Sequence, residues 1–260
     1  MSPSLPTPET EIRLAREAGP GPRIIVGIDE VGRGALAGPV AVGACALRIE
    51  NGIVPSMPEG IRDSKALTAR RREALIGPIR TAAHAHAVGW ASAEEIDRIG
   101  IMAALTTASV RALDGLGVSV DAILLDGNVD VLSASLSSSG RPAPRVVTRE
   151  KADRDCLSVA AASVLAKVAR DELLTALHQE ATDYGWASNK GYGAAVHRAA
   201  IDRIGVHEHH RRSWRLGSVP AAARTARPAA APAAGTGPTP GSAGVLWEGP
   251  WSPQDEEERR

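Results

Sequence analysis

Asp29 and Glu30 stand side by side at the end of the apolar run Ile24-Ile25-Val26-Gly27-Ile28, and Gly32-Arg33-Gly34 follows them directly. Carboxylates at the mouth of a buried strand cannot stay ionised in a low dielectric without a compensating cation, an arginine or water. A divalent metal becomes the simplest compensation if more carboxylates converge on the same spot. Gly32 and Gly34 allow positive φ and bare backbone N–H groups, while Arg33 between them carries a permanent charge that suits phosphate. Pleating directs Asp29 and Glu30 to opposite faces, so serving one site requires the strand to end or twist there.

Such a short β-branched run is expected to be a strand covered on both faces. Two competing readings of residues 24–38 are a plain strand with a polar turn, and a dinucleotide loop. For the second, glycines at 32, 34 and 38 only loosely match G-x-G-x-x-G. Gly38 comes one place late, Pro39 follows it, and residues 40–47 read as a strand where a helix is required. Two acids ahead of the loop would also repel a pyrophosphate.

Strands are expected at 23–29, 40–49, 83–91, 122–125 and 145–148. A helix starts near Ala69 with Thr68 as N-cap. Another starts at the capping box Ser92-Ala93-Glu94-Glu95, carries Ile96, Ile99, Met102, Leu105, Val110 and Leu113 as a core stripe, and stops at Gly115. The strand at 122–125 again delivers an acid, Asp126, with Gly127-Asn128 turning behind it. The serine-rich stretch after it reads as a loop. Asp153 and Asp155 precede a long alanine-rich helix reaching about Glu180, and either could be its N-cap or part of a site. A last helix is expected over 194–204. His84 and His86, two apart in a strand, are read as strand positions and not a metal pair. His207-Glu208-His209-His210 lacks the H-E-x-x-H spacing that puts two imidazoles on one helical face, so a zinc site is rejected. With Arg211, Arg212, Arg215 and Trp214, this cluster is expected to face nucleic acid.

Several motifs together resemble ribonuclease HII: G-I-D-E-V-G-R-G-A-L-A-G-P-V from Gly27, D-S-K at 63–65, L-L-D-G-N at 124–128, A-A-A-S-V-L-A-K-V-A-R-D at 160–171, N-K-G-Y-G at 189–193 and H-R-R-S-W at 210–214. They occur in family order across residues 23–216. The resemblance implies an α/β, ribonuclease H-like fold, a mixed five-stranded sheet flanked by helices, with a C-terminal helical lobe. It selects Asp153 over Asp155 and makes Asp29, Glu30, Asp126 and Asp153 the catalytic, metal-binding carboxylates. Oxygen ligands favour Mg²⁺ or Mn²⁺, with two ions in catalysis. The implied substrates are RNA–DNA hybrids and duplex DNA with single embedded ribonucleotides, cut to leave 3′-hydroxyl and 5′-phosphate ends. Gly32, Arg33, Gly34, Lys65, Tyr192 and Arg211 are the implied substrate-binding residues. Ala194, Gly100 and the V-H-E-H run at 206–209 depart from the family pattern. Ribonuclease HIII, which adds an N-terminal domain, and a noncatalytic hybrid-binding module are the alternatives; the second is expected to lack an acid, and all four are present.

The chain of 260 residues has 30 basic and 30 acidic side chains, two cysteines and no phenylalanine. That balance is unusual for a nucleic-acid enzyme, and binding must rely on local clusters. Residues 1–20 read as a mobile arm with one helical turn in E-T-E-I-R-L-A-R-E-A, 21–217 as the catalytic domain, and 218–260 as a low-complexity, disordered tail whose tryptophans could dock an unknown partner. No secretory signal or membrane-spanning run is read, so a monomer in the cytoplasm, away from membranes, is the expectation.

Overall fold

Valine, isoleucine and alanine fill the strands of a sheet ordered β3-β2-β1-β4-β5. The computed structural model describes residues 5–137 and 143–217. The strands are β1 (Arg23–Val31), β2 (Val40–Ile49), β3 (Ala85–Ala91), β4 (Ala122–Asp126) and β5 (Arg145–Arg149). The helices are α1 (Glu9–Glu17), α2 (Ala69–Ala82), α3 (Ala93–Gly115), α4 (Ser133–Ser137), α5 (Ala152–Asp155), α6 (Leu157–Leu177), α7 (Trp186–Asn189) and α8 (Ala195–Ile204). β1 to β3 run antiparallel, and β1, β4 and β5 run parallel. This is the ribonuclease H-like mixed sheet expected from the motifs.

The sheet is buried on both faces. One core joins α1, α2 and α6 to it through Leu14, Ile25, Leu47, Ile79, Leu124 and Val159. The other sets α3 against Val26, Ile28, Val42, Ala44 and Ile123. Glycine decides how closely α6 lies. A Cβ built on Gly27 would fall 2.3 Å from Ser158 C, and one on Gly43 would fall 2.2 Å from the Ala162 carbonyl oxygen. Strands β1 and β2 therefore meet the helix backbone directly. A third cluster, around Trp186, Tyr184, Leu173 and Leu174, forms the C-terminal lobe.

Four expectations change. The N-terminal arm is a docked helix over much of its length: Leu14 is 1% exposed, and Glu11, wholly buried, accepts from the backbone N–H of Ser158 and from its hydroxyl, both at 2.8 Å. The signal was the pair Leu14 and Ala15 opposite charged residues, hidden by the prolines around it. The helix from Ser92 does have both capping-box bonds, but it kinks at Gly100, whose φ is 79°. The kink rotates the following turns, so Ala104, Leu105, Ala108 and Ala112 face the core while Met102 is exposed. The first part of the serine-rich loop is the short helix α4, with Asp130 accepting from the N–H groups of Leu132 and Ser133. The long alanine-rich helix is preceded by the separate turn α5, with Cys156 extended between them. The tail at 218–260, with its tryptophans, lies outside the described residues. No helix among the described residues is long and apolar enough to cross a membrane.

Gly27→Ala forces α6 away from β1 or the methyl into a peptide bond. A loss of about 2–3 kcal/mol is expected, read as a lower urea midpoint at unchanged m. An unchanged midpoint would show that the helix floats on the sheet.

Candidate active site

The acids are delivered by two adjacent strands and one turn. Ile28 pairs with Leu125, so Asp29 and Asp126 lie one step further along parallel neighbours. β1 continues past both acids to Val31, pairing Asp29 with Gly43 and Glu30 with Val42. The strand therefore does not end at the pair, and pleating is obeyed. Asp29 turns toward α6, where the Ser163 hydroxyl hydrogen-bonds it. Glu30 lines a cleft of about 80 Å³ with Arg33, Met102, Leu105, Asp126 and Asn128 on the α3 side. β4 stops at Asp126, so beyond it β1 has no parallel neighbour on that edge among the described residues, and the charges of Glu30 and Asp126 still reach Asp29. Asp126 Oδ1 accepts from the Ala152 N–H at 2.7 Å, which docks the start of α5 and brings Asp153 in beside it.

Electrostatics confirms that these acids feel one another. Burial, then the charges of Glu30, Asp126 and Asp153, push Asp29 up to about 8. Asp153 is raised to about 6 by burial and by Asp126 and Asp63. Burial raises Glu30 too, against the pull of Arg33. Among the described residues, no three of these carboxylates bring ligand oxygens within 4.8 Å of one another, as like charges without a cation should stand apart. Lys65 answers them. Burial alone would lower it, but Asp29, Asp63, Asp153 and Asp126 outweigh that and raise it.

Three participants went unread in the sequence. Asp63 hydrogen-bonds Asp153, accepts from the Lys65 N–H at 2.9 Å and lies 3.7 Å from Arg154 Nε. Ser163, read there only as a small residue, links Asp29 to Ser64 through a 2.9 Å hydroxyl contact. Arg170 is fully buried and donates to the carbonyls of Pro39, Lys190 and Ala37. D-S-K was the available signal for Asp63, and the motif at 160–171 for Ser163 and Arg170, but neither motif says what its side chains meet.

Arg211 is a correction. It was expected to meet substrate, but it is 0% exposed, and its guanidinium donates to the carbonyls of Gly38, Arg33 and Gly32 at 3.1, 2.8 and 2.7 Å. Burial and then the neighbouring Arg170 cation lower it to about 9, so it is still charged at neutral pH. Its role is to hold the 32–38 loop from below. Gly32, at φ +87°, has Arg170 Nε only 2.1 Å from where a Cβ would sit, so glycine is needed there twice over. Arg33 and Gly34 face solvent.

Tyr192 reaches the same rim. Its loop is tied to the first one because the N–H groups of Leu36 and Ala37 both donate to the Gly191 carbonyl. The ring is 37% exposed, with the Arg170 guanidinium 5.5 Å from its centroid. Of the histidine cluster only His210 is internal; His207 and His209 are half-buried, and Glu208, Arg212 and Arg215 are exposed. His210 is 1% exposed and lies 3.0 Å from His197, which also receives the Trp186 indole N–H. Trp214 stacks on Arg211. His84 lies just before β3 and is exposed, and neither it nor His86 joins a metal-ligand group among the described residues.

Acids at the carboxyl ends of β1 and β4, on a sheet of this order, define a ribonuclease H-like nuclease. The family model for Ribonuclease HII matches residues 26–216. A Ribonuclease HII of Streptomyces coelicolor is 45% identical over 207 residues, covering 80% of this chain and 83% of that protein. The chain belongs to the ribonuclease HII family and is an endonuclease of the ribonuclease H type. Among solved structures, it is similar to the ribonuclease H2 of Pyrococcus horikoshii, with TM-score 0.60, 26% identity and coverage of 74% of this chain and 94% of that one. It is also similar to the RNase HII in a PCNA:RNase HII complex from Archaeoglobus fulgidus, with TM-score 0.56, 29% identity and coverage of 72% and 91%.

Because Asp29 is raised to about 8, the folded chain keeps a proton that the unfolded chain releases near pH 4. Its contribution is fully present below pH 4 and lost as pH rises through 8. In EDTA, Asp29→Asn should therefore be more stable than the parent at pH 8, with the gap closing toward pH 4. Urea unfolding across that range checks this, and a gap that widens toward acid would contradict the burial of Asp29.

Proposed function

We propose that this chain cleaves the RNA strand of RNA–DNA hybrids and incises at single ribonucleotides in duplex DNA. The cut falls on the 5′ side of the ribonucleotide, leaving 3′-hydroxyl and 5′-phosphate ends. The observation that carries this is the joining of Gly32, Arg33, Gly34 and Tyr192 into one rim beside Asp29, Glu30, Asp126 and Asp153. A hydrolase that must tell RNA from DNA needs a polar contact at the 2′-hydroxyl next to the groups that act on phosphate. The 32–38 loop supports it: the guanidinium groups of Arg170 and Arg211 hold four of its carbonyls and that of Pro39 inward. The exposed Arg33-Gly34 segment is thereby left to present N–H groups to the sugar and phosphate.

The four carboxylates fit divalent metal. They offer oxygen ligands only, as Mg²⁺ or Mn²⁺ prefers, and burial with neighbouring carboxylate charge raises Asp29, Glu30 and Asp153, a conflict a cation would relieve. Asp29, Glu30, Asp126 and Asp153 would hold the metal, two ions in this reading. When bound, it supplies a nucleophile at neutral pH and charge stabilisation at the leaving oxygen. The protein's own residues do the rest. Ser163 orients Asp29, Asp63 orients Asp153, and Lys65 brings a cation to the phosphate. Tyr192, braced by Arg170, packs on the sugar of the adjoining nucleotide. The reading takes the working unit as a monomer.

With Mn²⁺, the protein should cut a labelled DNA duplex containing one ribonucleotide and leave an all-DNA duplex intact. Asp29→Asn and Asp126→Asn should each abolish cutting in clean preparations; substantial cutting by either sinks the site assignment. Binding separates the two arginines. Arg33→Ala should reduce the slope of log affinity against log salt by about 1, as a lost phosphate contact does. Arg211→Lys should lower thermal stability and leave that slope unchanged; a reduced slope would restore Arg211 to the substrate surface.

A further inference from the structure

We propose that His207, Glu208 and His209 form a site for a borderline transition metal such as Zn²⁺, distinct from the carboxylate centre. The rule that excluded zinc here holds only on a helix, and these residues are not on one. α8 ends at Ile204, and Gly205, at φ +87°, turns the chain out of it. In the extended turn that follows, neighbouring side chains converge. One ligand atom from each of the three lies within 4.8 Å of the other two.

The imidazoles are held in place from behind. Their centroids lie 5.0 Å apart, and both rings stand edge-on to the buried Trp186, at 5.5 Å for His207 and 6.0 Å for His209. His209 Nε2 lies 3.2 Å from Glu180 Oε2. A carboxylate on one ring nitrogen fixes the tautomer and frees the other for metal, the usual outer partner of a ligating histidine. The backbone is fixed as well: the Gly38 N–H donates to the His209 carbonyl at 2.8 Å, and the His207 N–H donates to His210 Nδ1 at 2.8 Å. Against metal stands only a long contact, 3.4 Å, from the His209 N–H to His207 Nδ1.

Two imidazoles and a carboxylate are the donor set of zinc, cobalt and nickel, whereas magnesium takes oxygen ligands. Ligands around zinc at about 2.1 Å sit closer together than 4.8 Å. Glu208 is exposed, so its side chain can swing in to close the gap. Bound metal would tie this turn more firmly to Gly38, at the end of the loop that carries Gly32 and Arg33.

The test uses the full chain with Asp29→Asn and Asp126→Asn, which disables the carboxylate site, in excess Mg²⁺. Titration calorimetry should show uptake of one Zn²⁺, and Co²⁺ at the same site should give visible d–d absorption with nitrogen ligation. Adding His207→Gln or His209→Gln should abolish both signals. Glu208→Ala, an exposed change that cannot disturb the core, should weaken uptake at least tenfold, and Glu180→Gln by about 10- to 100-fold. The proposal is overturned if the parent of this series takes up no Zn²⁺, or if its uptake survives Glu208→Ala and the histidine changes. Cleavage by the wild-type chain is a separate readout, so a failed zinc site leaves the nuclease reading untouched.

Discussion

Helix α6 rests on β1 and β2 at backbone distance, and most of the site hangs from that contact. Gly27 and Gly43 leave no side chain between sheet and helix. Along the face so placed, Ser158 receives the buried Glu11 of α1, Ser163 reaches Asp29, and Arg170 reaches under the 32–39 segment. One turn further, Leu174 joins the core of the C-terminal lobe. The N-terminal helix, the buried Asp29, the 32–38 loop and the lobe are thus registered against a single rigid element. Interiors packed at this density do not absorb a displaced helix locally.

The same helix separates two opposed electrostatic environments. On one side, burial and then the neighbouring carboxylates push Asp29 up to about 8, a conflict that a bound cation would relieve. On the other, two buried guanidinium groups have no carboxylate partner in their hydrogen bonds and are neutralised by main-chain carbonyls. All but that of Lys190 belong to residues 32–39, which border the acids. Charge is therefore used oppositely: the acids crowd one another at the groove, and the two cations are sunk beneath the loop to shape the backbone. A chain of zero formal charge can serve a polyanionic substrate because its cations are arranged locally and not summed.

The sheet was legible because each strand is a short apolar run bounded by turn residues, and the acids because two such runs end in them. The helix at 93–115 shows where periodicity fails. Its stripe was read as continuous, but a single glycine at positive φ changed the face, so Met102 moved from the expected core to the rim of the cleft. α1 was read only as a single turn in a mobile arm for a related reason: nine residues between prolines carry a weak pattern, and the partner of Glu11 lies 147 positions away.

The sequence by itself determined the order of the five strands, the acids Asp29, Glu30 and Asp126 at the ends of apolar runs, and the glycine-flanked arginine, since these are local properties; Asp153 came only with the family resemblance. Only the tertiary structure decided what each polar residue faces. Arg211 and Arg33 are the same side chain in basic, motif-bearing stretches, yet one is sealed under a loop and the other stands at the groove. Ser163 is one small residue among alanines until folding sets it against Asp29. Partnership and burial depend on residues distant in sequence, and the desolvation that fixes a side chain's role exists only once those distant segments have closed over it.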